Sequence, residues 1–159
     1  SQPGKGATFT LYLPALKEKP RRLPAGGIKS VPEPPSPGLN VLVMDDNPEV
    51  LSTIRRMLKK LGCRITAAAS GEEAVEIFKR ARDKGASFDR IILDLTVPGG
   101  MDGVETLKRI LDIDPDASAW ISSGYFEGPA MAEYEKHGFK GVLKKPYTVQ
   151  ELLMTVLKE

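Results

Sequence analysis

Five short apolar runs alternate with stretches of helical periodicity over residues 39–159, and this alternation leaves few folds open. The predicted strands are 40–44, 63–68, 90–95, 118–122 and 141–144. The central runs are continuously apolar, which is typical of strands covered on both faces. Regular strand–helix repetition therefore predicts an α/β domain, a doubly wound parallel sheet with helices on both faces and right-handed crossovers.

Apolar residues recur at helical spacing between the strands. The predicted apolar faces are Val50, Ile54, Met57, Leu58 and Leu61; Ala74, Val75 and Phe78; Val104, Leu107, Ile110 and Leu111; and Val149, Leu152, Leu153, Val156 and Leu157. A weaker helix, the fourth in chain order, is predicted over about 128–137. Capping-box spacings begin at Ser70 and Thr148, and Asn47 followed by Pro48 marks the start of the first helix.

Residues 1–38 differ in composition from the remainder. They hold eight of the 13 prolines and six Lys/Arg against two acids, whereas residues 39–159 hold 17 Lys/Arg against 19 acids. We interpret residues 18–38 as a Pro-rich linker and residues 39–159 as the compact domain.

Composition also bears on partners and compartment. A slightly acidic domain argues against nucleic acid as a partner of this chain. No apolar run approaches the roughly 20 residues of a membrane span, so no membrane contact by this chain is expected. The single cysteine, Cys63, excludes an internal disulfide and favours a cytoplasmic setting.

Polar and charged residues stand at the carboxyl ends of four predicted strands. They are Asp45 and Asp46 after the first, Asp94 at the end of the third, Ser122 and Ser123 at the fourth, and Lys145 after the fifth. Ligands of doubly wound sheets bind beyond these ends. Three converging carboxylates repel one another unless a cation lies among them, and Mg²⁺ (or Mn²⁺), with oxygen ligands and retained waters, fits that need.

This set of groups favours phosphoryl transfer. The carboxylate of Asp94 can act as a nucleophile on phosphorus and form an acyl phosphate. Lys145 can place a positive charge beside the phosphoryl oxygens, and a serine hydroxyl can donate a hydrogen bond to them.

The chain resembles a response-regulator receiver domain, the phosphoacceptor module of two-component signalling. The matching motifs are VLVMDDNPEV, IILDLTVPGGMDG, WISSGY and VLKKPYT, which are spread over residues 39–159. The resemblance implies a flavodoxin-like (βα)5 fold with strand order 2-1-3-4-5. It also implies that Asp94 is phosphorylated by a phosphohistidine, carried by a domain of its own kinase or by a histidine phosphotransfer protein, and that the domain then switches conformation.

The resemblance also implies individual roles. The implied Mg²⁺ ligands are Asp46, Asp94 and the backbone carbonyl of Thr96, with Asp45 holding the ion through water. Ser123 matches the switch hydroxyl, and Lys145 matches the lysine that contacts the phosphoryl group.

Two departures from the family pattern stand out. The loop in DLTVPGGMDG is one residue longer than usual, so the chain around Gly99 and Gly100 is expected to be reshaped. The position of the family's switch aromatic is Val142, which puts the coupled hydroxyl-and-aromatic rearrangement in question; Phe139 and Tyr147 are the candidate substitutes.

The segment before the linker carries a second resemblance. GKGATFTLYLP (4–14) resembles the last glycine-rich box and strand of a sensor histidine kinase's ATP-binding domain. Residues 1–17 are therefore predicted to be the C-terminal remnant of such a domain, and the receiver to be part of a hybrid sensor histidine kinase, whose full chain can be membrane-anchored. This chain itself is not expected to bind ATP.

Two alternative functions stay open. A Mg²⁺-dependent phosphohydrolase would also use an Asp nucleophile, but such enzymes commonly carry a second acid two residues later, where this chain has Thr96. A degenerate receiver would act only as an interaction module; it would lack an aspartate, the lysine or the acidic pair, all of which are present. The basic run RRMLKK (55–60) is either a solvated helix face or part of a docking surface for the phosphoryl donor.

Overall fold

The computed structural model describes residue 10, residues 38–124 and residues 133–157. The strands are β1 (Asn40–Met44), β2 (Arg64–Ala68), β3 (Arg90–Asp94), β4 (Ala119–Ser123) and β5 (Gly141–Lys144). The helices are α1 (Pro48–Lys60), α2 (Gly71–Asp83), α3 (Gly103–Ile113), a 3₁₀ helix (Tyr134–His137) and α4 (Val149–Leu157). All described residues from Gly38 onward belong to one compact unit.

The five described strands form one parallel sheet in the order β2-β1-β3-β4-β5. This confirms the predicted order 2-1-3-4-5. Because β1 leads to β2 on one side and β3 lies on its other side, the winding direction reverses next to β1. The cleft beyond the carboxyl ends of β1 and β3 is the place where such sheets bind ligands.

Successive residues of the central strands point into two separate cores, one on each face of the sheet. The core under α2 and α3 contains Leu42, Met44, Ile91, Leu93 and Ile121 together with Phe78 and Leu107. The core under α1 and α4 contains Val41, Val43, Ile92, Trp120 and Leu143 together with Ile54 and Leu152. Each such side chain contributes about 1.5–3 kcal/mol when fully buried, so burial on both faces explains the continuous apolar runs.

Every strand boundary falls within one residue of the prediction, and β1 and β5 agree with it at both ends. β2 begins at Arg64 rather than Cys63, because the Cys63 amide donates to Leu58 O (3.1 Å) and ends α1 beside Gly62, which has a positive φ of 78°. β4 extends to Ser123, which is in register with Lys144.

The predicted helix starts are confirmed by side-chain caps. Asn47 Oδ1 accepts from the amide of Glu49 (2.9 Å) at the start of α1. Glu73 accepts from the amide of Ala69 (2.7 Å), and Ser70 accepts from that of Glu73 (3.2 Å), at the start of α2. A comparable reciprocal cap between Thr148 and Glu151 begins α4.

Several predictions concern residues outside the described ranges. These are the ATP-binding-domain remnant and linker over residues 1–38, except Thr10 and Gly38, and the first half of the weak helix predicted over 128–137. The described end of that helix, Tyr134–His137, is a 3₁₀ helix. No helix within the described ranges is long and apolar enough to cross a membrane.

Candidate functional site

The sheet brings the polar strand ends together at one edge. Asp45 follows β1 directly, and its amide donates to Ala68 O (3.1 Å) at the end of β2. Asp94 is the last residue of β3. Lys145 follows β5, and its amide donates to Ser123 O (2.8 Å) at the end of β4. Backbone pairing thus fixes each of these residues at the carboxyl edge of the sheet.

Three carboxylates converge at this edge. A carboxylate oxygen of Asp45, one of Asp46 and one of Asp94 lie within 4.8 Å of one another. Asp45 and Asp94 are buried, with exposed fractions of 1% and 6%, whereas Asp46 is exposed. Two of the acids are therefore desolvated, while the third opens the cluster to solvent.

The ammonium group of Lys145 lies between the two buried acids. Lys145 Nζ is 2.6 Å from Asp45 Oδ2 and 3.0 Å from Asp94 Oδ1. The second oxygen of Asp45 accepts a hydrogen bond from the Asn47 amide (2.9 Å). Asp45 is thus oriented from both sides, and the lysine offsets part of the negative charge.

Burial and charge act in opposite directions on these groups. Burial raises the pKa of Asp94, as does the charge of Asp45, and this outweighs the hydrogen bonds from Lys145 and from the backbone of Thr96. Burial alone would lower the pKa of Lys145, but its hydrogen bonds to Asp45 and Asp94 and their charges raise the pKa above its usual value. Lys145 is therefore fully protonated at neutral pH.

Ser122 and Ser123 end β4 and are both buried. Ser122 is in register with Asp94, and Ser123 lies one residue further towards the carboxyl edge. Within the described part of the chain, the hydroxyls of Ser122 and Tyr147 are buried without a hydrogen-bond partner. The two hydroxyls are neighbours, but they do not form a hydrogen bond with each other. Burial raises the pKa of Tyr147.

The β3–α3 loop, residues 95–102, starts and ends against Asp94. The backbone of Thr96 hydrogen-bonds to the Asp94 carboxylate. At the other end, Gly103 lies so close to Asp94 that an added Cβ would be 2.5 Å from its carbonyl oxygen. Gly99 adopts a positive φ of 71°, and the Gly100 amide donates to Val97 O (3.4 Å), so the loop turns at these two glycines.

Sequence reasoning missed several residues that shape the site. Asn47 was assigned only a capping role, yet its amide also orients Asp45. Glu72 was given no role, yet its Oε1 accepts from the Met101 amide (3.2 Å) in the β3–α3 loop. Gly103 was also given no role, although it packs against the Asp94 carbonyl. The bond between Glu72 and Met101 joins residues 29 positions apart, so it leaves no pattern in the sequence.

The two candidate substitutes for the switch aromatic lie in different cores. Phe139 is 2% exposed in the core under α2 and α3, where Val142 packs at the periphery. Tyr147 packs against the core under α1 and α4. Phe139 therefore shares a core with Val142, whereas Tyr147 packs on the opposite face of the sheet.

Two open grooves lie along α1, and the first of them reaches the site. The first groove, with a volume of about 400 Å³, lies between the first turns of α1 and the segment Lys145–Tyr147. The second groove, with a volume of about 550 Å³, is lined by Met57 and Val149 and by the cations Arg56, Lys59 and Lys60. Thr53 lines both grooves, so they are neighbours along the helix.

The donor atoms of the site suit a hard divalent cation. The acidic cluster supplies carboxylate oxygens, which are the ligands that Mg²⁺ prefers, and one acid is exposed to solvent so that bound waters can be retained. The described residues thus offer an oxygen-rich, partly open cluster that fits Mg²⁺.

Comparison with known proteins decides the family. The family model described as the response regulator receiver domain matches residues 41–157. This chain belongs to that family. It is a receiver domain of two-component signal transduction, and acidic clusters of this kind are where receiver domains generally bind Mg²⁺.

The relatives of this receiver domain include hybrid sensor kinases. It is 31% identical over 161 aligned positions to the sensor kinase CckA of Brucella abortus, covering 98% of this chain and 17% of that protein. It is 29% identical to the aerobic respiration control sensor protein ArcB of Escherichia coli, covering 99% of this chain and 19% of ArcB. The chain therefore spans less than a fifth of either kinase.

A solved structure agrees in fold. The receiver domain of a sensor histidine kinase from Pseudomonas aeruginosa, solved with a magnesium ion coordinated in its active-site cleft, matches with a TM-score of 0.66 and 26% identity. The match covers 75% of this chain and 94% of that domain.

Proposed function

We propose that Asp94 accepts a phosphoryl group from a phosphohistidine. A bond forms between an Asp94 carboxylate oxygen and phosphorus while the phosphorus–nitrogen bond breaks, and its electron pair returns to the donor imidazole. The observation that carries this proposal is the convergence of three carboxylates and Lys145 at one edge of the sheet. A degenerate receiver would have lost at least one of these four groups.

The acids of the cluster would hold Mg²⁺, or Mn²⁺ in its place. Asp46, Asp94 and the backbone carbonyl of Thr96 are the proposed direct ligands, with Asp45 acting through water. The hydrogen bond between the Thr96 backbone and Asp94 supports this set, because it keeps that stretch of main chain beside the cluster. When bound, the ion offsets the negative charge of the phosphoryl oxygens.

Lys145 and Ser123 would respond to the phosphoryl group. The ammonium of Lys145 is already 3.0 Å from the Asp94 oxygen, so it can follow the charge outward to a phosphoryl oxygen. Ser123, at the end of the neighbouring strand, would donate a hydrogen bond to another phosphoryl oxygen. These two movements would start the conformational switch.

The donor would dock along α1. Asn47 caps α1 immediately after the acidic pair, so the helix begins at the site and leads away from it. The groove at its first turns reaches Lys145, and the second groove adds Arg56, Lys59 and Lys60. The proposed donor therefore has a helical surface with acidic residues placed to meet these cations.

We further infer that the chain is part of a hybrid sensor kinase in the cytoplasm. CckA and ArcB align over 98% and 99% of this chain, which takes the similarity upstream of the receiver into residues 1–38. This supports a kinase-domain remnant over 1–17 and a linker over 18–38. The donor is then a phosphohistidine domain of the same kinase or a separate histidine phosphotransfer protein.

Acetyl phosphate tests the phosphoacceptor directly. With Mg²⁺, intact-protein mass spectrometry is expected to show one added phosphoryl group in the wild-type chain and none in Asp94→Asn. Asp112→Asn is the matched control, because Asp112 is an exposed acid on α3 outside the cluster. Equal labelling of wild type and Asp94→Asn would show that the site is wrongly assigned.

A further inference from the structure

The β3–α3 loop (95–102) has weak support from its own backbone. At its tip the Gly100 amide donates to Val97 O over 3.4 Å, which is long for an N–H···O bond. Pro98 and Gly99, the two residues between them, are exposed. The position of the loop must therefore be fixed by contacts with neighbouring elements.

The first turn of α2 supplies such contacts. Glu72 Oε1 accepts from the Met101 amide at 3.2 Å, directly after the weak turn. Gly71 brings the helix start against the loop, since an added Cβ would be 2.7 Å from Met101 O and 2.2 Å from Thr106 Oγ1. The Met101 side chain is itself buried, with 8% exposed. Glu72 is thus held close enough to tie down the second half of the loop.

The same loop carries main chain that faces Asp94. The Thr96 backbone hydrogen-bonds to the Asp94 carboxylate, and Gly103 closes the loop against the Asp94 carbonyl. Between these two points, the Met101 amide is hydrogen-bonded to the side chain of Glu72 on α2. A shift at Met101 would be passed through the short segment 97–100 to Thr96.

We propose that Glu72 is a positioning residue, whose bond to the Met101 amide holds the β3–α3 loop so that the Thr96 main chain stays at the carboxylate cluster. This inference rests on the proposed function for its effect on Mg²⁺, but the bond to the loop stands on geometry alone. The consequence is that α2, which contributes no group to the cluster, determines how well the cluster is prepared to bind the ion.

The adjacent Glu73 is a matched control. It carries the same charge one residue later, but its Oε2 accepts from the Ala69 amide (2.7 Å) and caps α2 rather than contacting the loop. Loss of Glu73 should destabilise the helix start, by about 1 kcal/mol for a cap, without moving the loop. Glu72→Gln separates charge from bonding, because the amide oxygen can still accept from Met101.

The experiment compares wild type, Glu72→Ala, Glu72→Gln and Glu73→Ala. Amide hydrogen exchange in metal-free buffer is followed by NMR, and Mg²⁺ affinity by titration of backbone amide shifts. Glu72→Ala is expected to speed exchange at Met101 about ten-fold and to weaken Mg²⁺ binding on the order of five-fold, as expected for the loss of one hydrogen bond. Glu72→Gln should stay within about two-fold of wild type in both measurements. Glu73→Ala should lower the melting temperature and leave the Mg²⁺ affinity unchanged.

Three results would overturn the inference. These are unchanged Met101 exchange in Glu72→Ala, equal weakening of Mg²⁺ binding by Glu72→Gln and Glu72→Ala, and equal weakening by Glu73→Ala. A wild-type chain that binds no Mg²⁺ would refute the proposed function instead, and the Met101 exchange rates would still decide whether Glu72 holds the loop.

Discussion

Among single residues, Lys145 has the most direct effect on the charge of the cluster. Its Nζ contacts two acids whose side chains are 2% and 8% exposed, while its own side chain is 20% exposed. Removing one partner of a buried ion pair costs about 3–5 kcal/mol, because the remaining charge is left uncompensated. Here the lysine is partly solvated and two like charges remain, so both desolvation and repulsion contribute to the cost.

Lys145→Ala is therefore expected to lower the free energy of unfolding by about 2–3 kcal/mol in metal-free buffer. Mg²⁺ should restore more stability to this variant than to wild type, because the ion replaces the missing positive charge between Asp45 and Asp94. Urea denaturation with and without Mg²⁺ measures both effects. Lys140→Ala, at an exposed position just before β5, is the control; if the two variants lose the same stability, the bridging role of Lys145 is wrong.

Among the secondary-structure elements, α1 links the site to the proposed donor. The helix starts at the Asn47 cap beside the acidic pair and carries Arg56, Lys59 and Lys60 around the second groove. Charges at the rim of an interface act mainly on the association rate and are screened by salt. A donor lying along α1 would thus be attracted by its cations while its histidine reaches Asp94.

Replacing these three cations with Glu is expected to slow phosphotransfer at least about ten-fold. The donor in this test is the phosphohistidine protein that transfers fastest to the wild-type chain. Phosphorylation by phosphoramidate, which is too small to contact α1 and the site together, should stay within about two-fold. The control reverses Lys79, Lys84 and Lys108, exposed cations of α2, its C-cap and α3. Equal slowing by both triple variants would show that net charge, and not the α1 surface, is responsible.

The strands also show how far sequence reasoning reaches. Apolar runs predicted the number and positions of the strands, because a strand covered on both faces is apolar along its length. Their order in the sheet followed from the resemblance to receiver domains and not from the runs themselves. Boundaries such as Cys63 and Ser123 shifted by one residue, because the end of a ladder depends on which partner takes the last amide. The acids and Lys145 were identifiable because strand ends meet at one edge. The Glu72–Met101 bond and the packing of Gly103 against Asp94 depend on tertiary contacts that no local pattern records.

For the domain as a whole, the proposed Mg²⁺ binding at the acidic cluster would be coupled to folding stability. A ligand that binds only the folded state stabilises it by about 2.7 kcal/mol at 100 times its dissociation constant. In a domain of this size that corresponds to a rise in melting temperature on the order of 10 °C. Trp120, the single tryptophan of the chain, is 3% exposed in the core under α1 and α4, so its fluorescence reports global unfolding.

Asp46→Asn separates the two contributions of the cluster. The substitution removes one of three neighbouring negative charges at an exposed position, so the metal-free melting temperature should stay equal or rise. The Mg²⁺-dependent rise should be largely lost, because the proposed direct ligand is weakened. Thermal unfolding followed by Trp120 fluorescence, with excess Mg²⁺ or with chelator, measures both, and Asp112→Asn should behave as wild type. If Mg²⁺ stabilises Asp46→Asn as much as wild type, Asp46 is not a ligand, and the two buried acids with Thr96 would have to hold the ion without it.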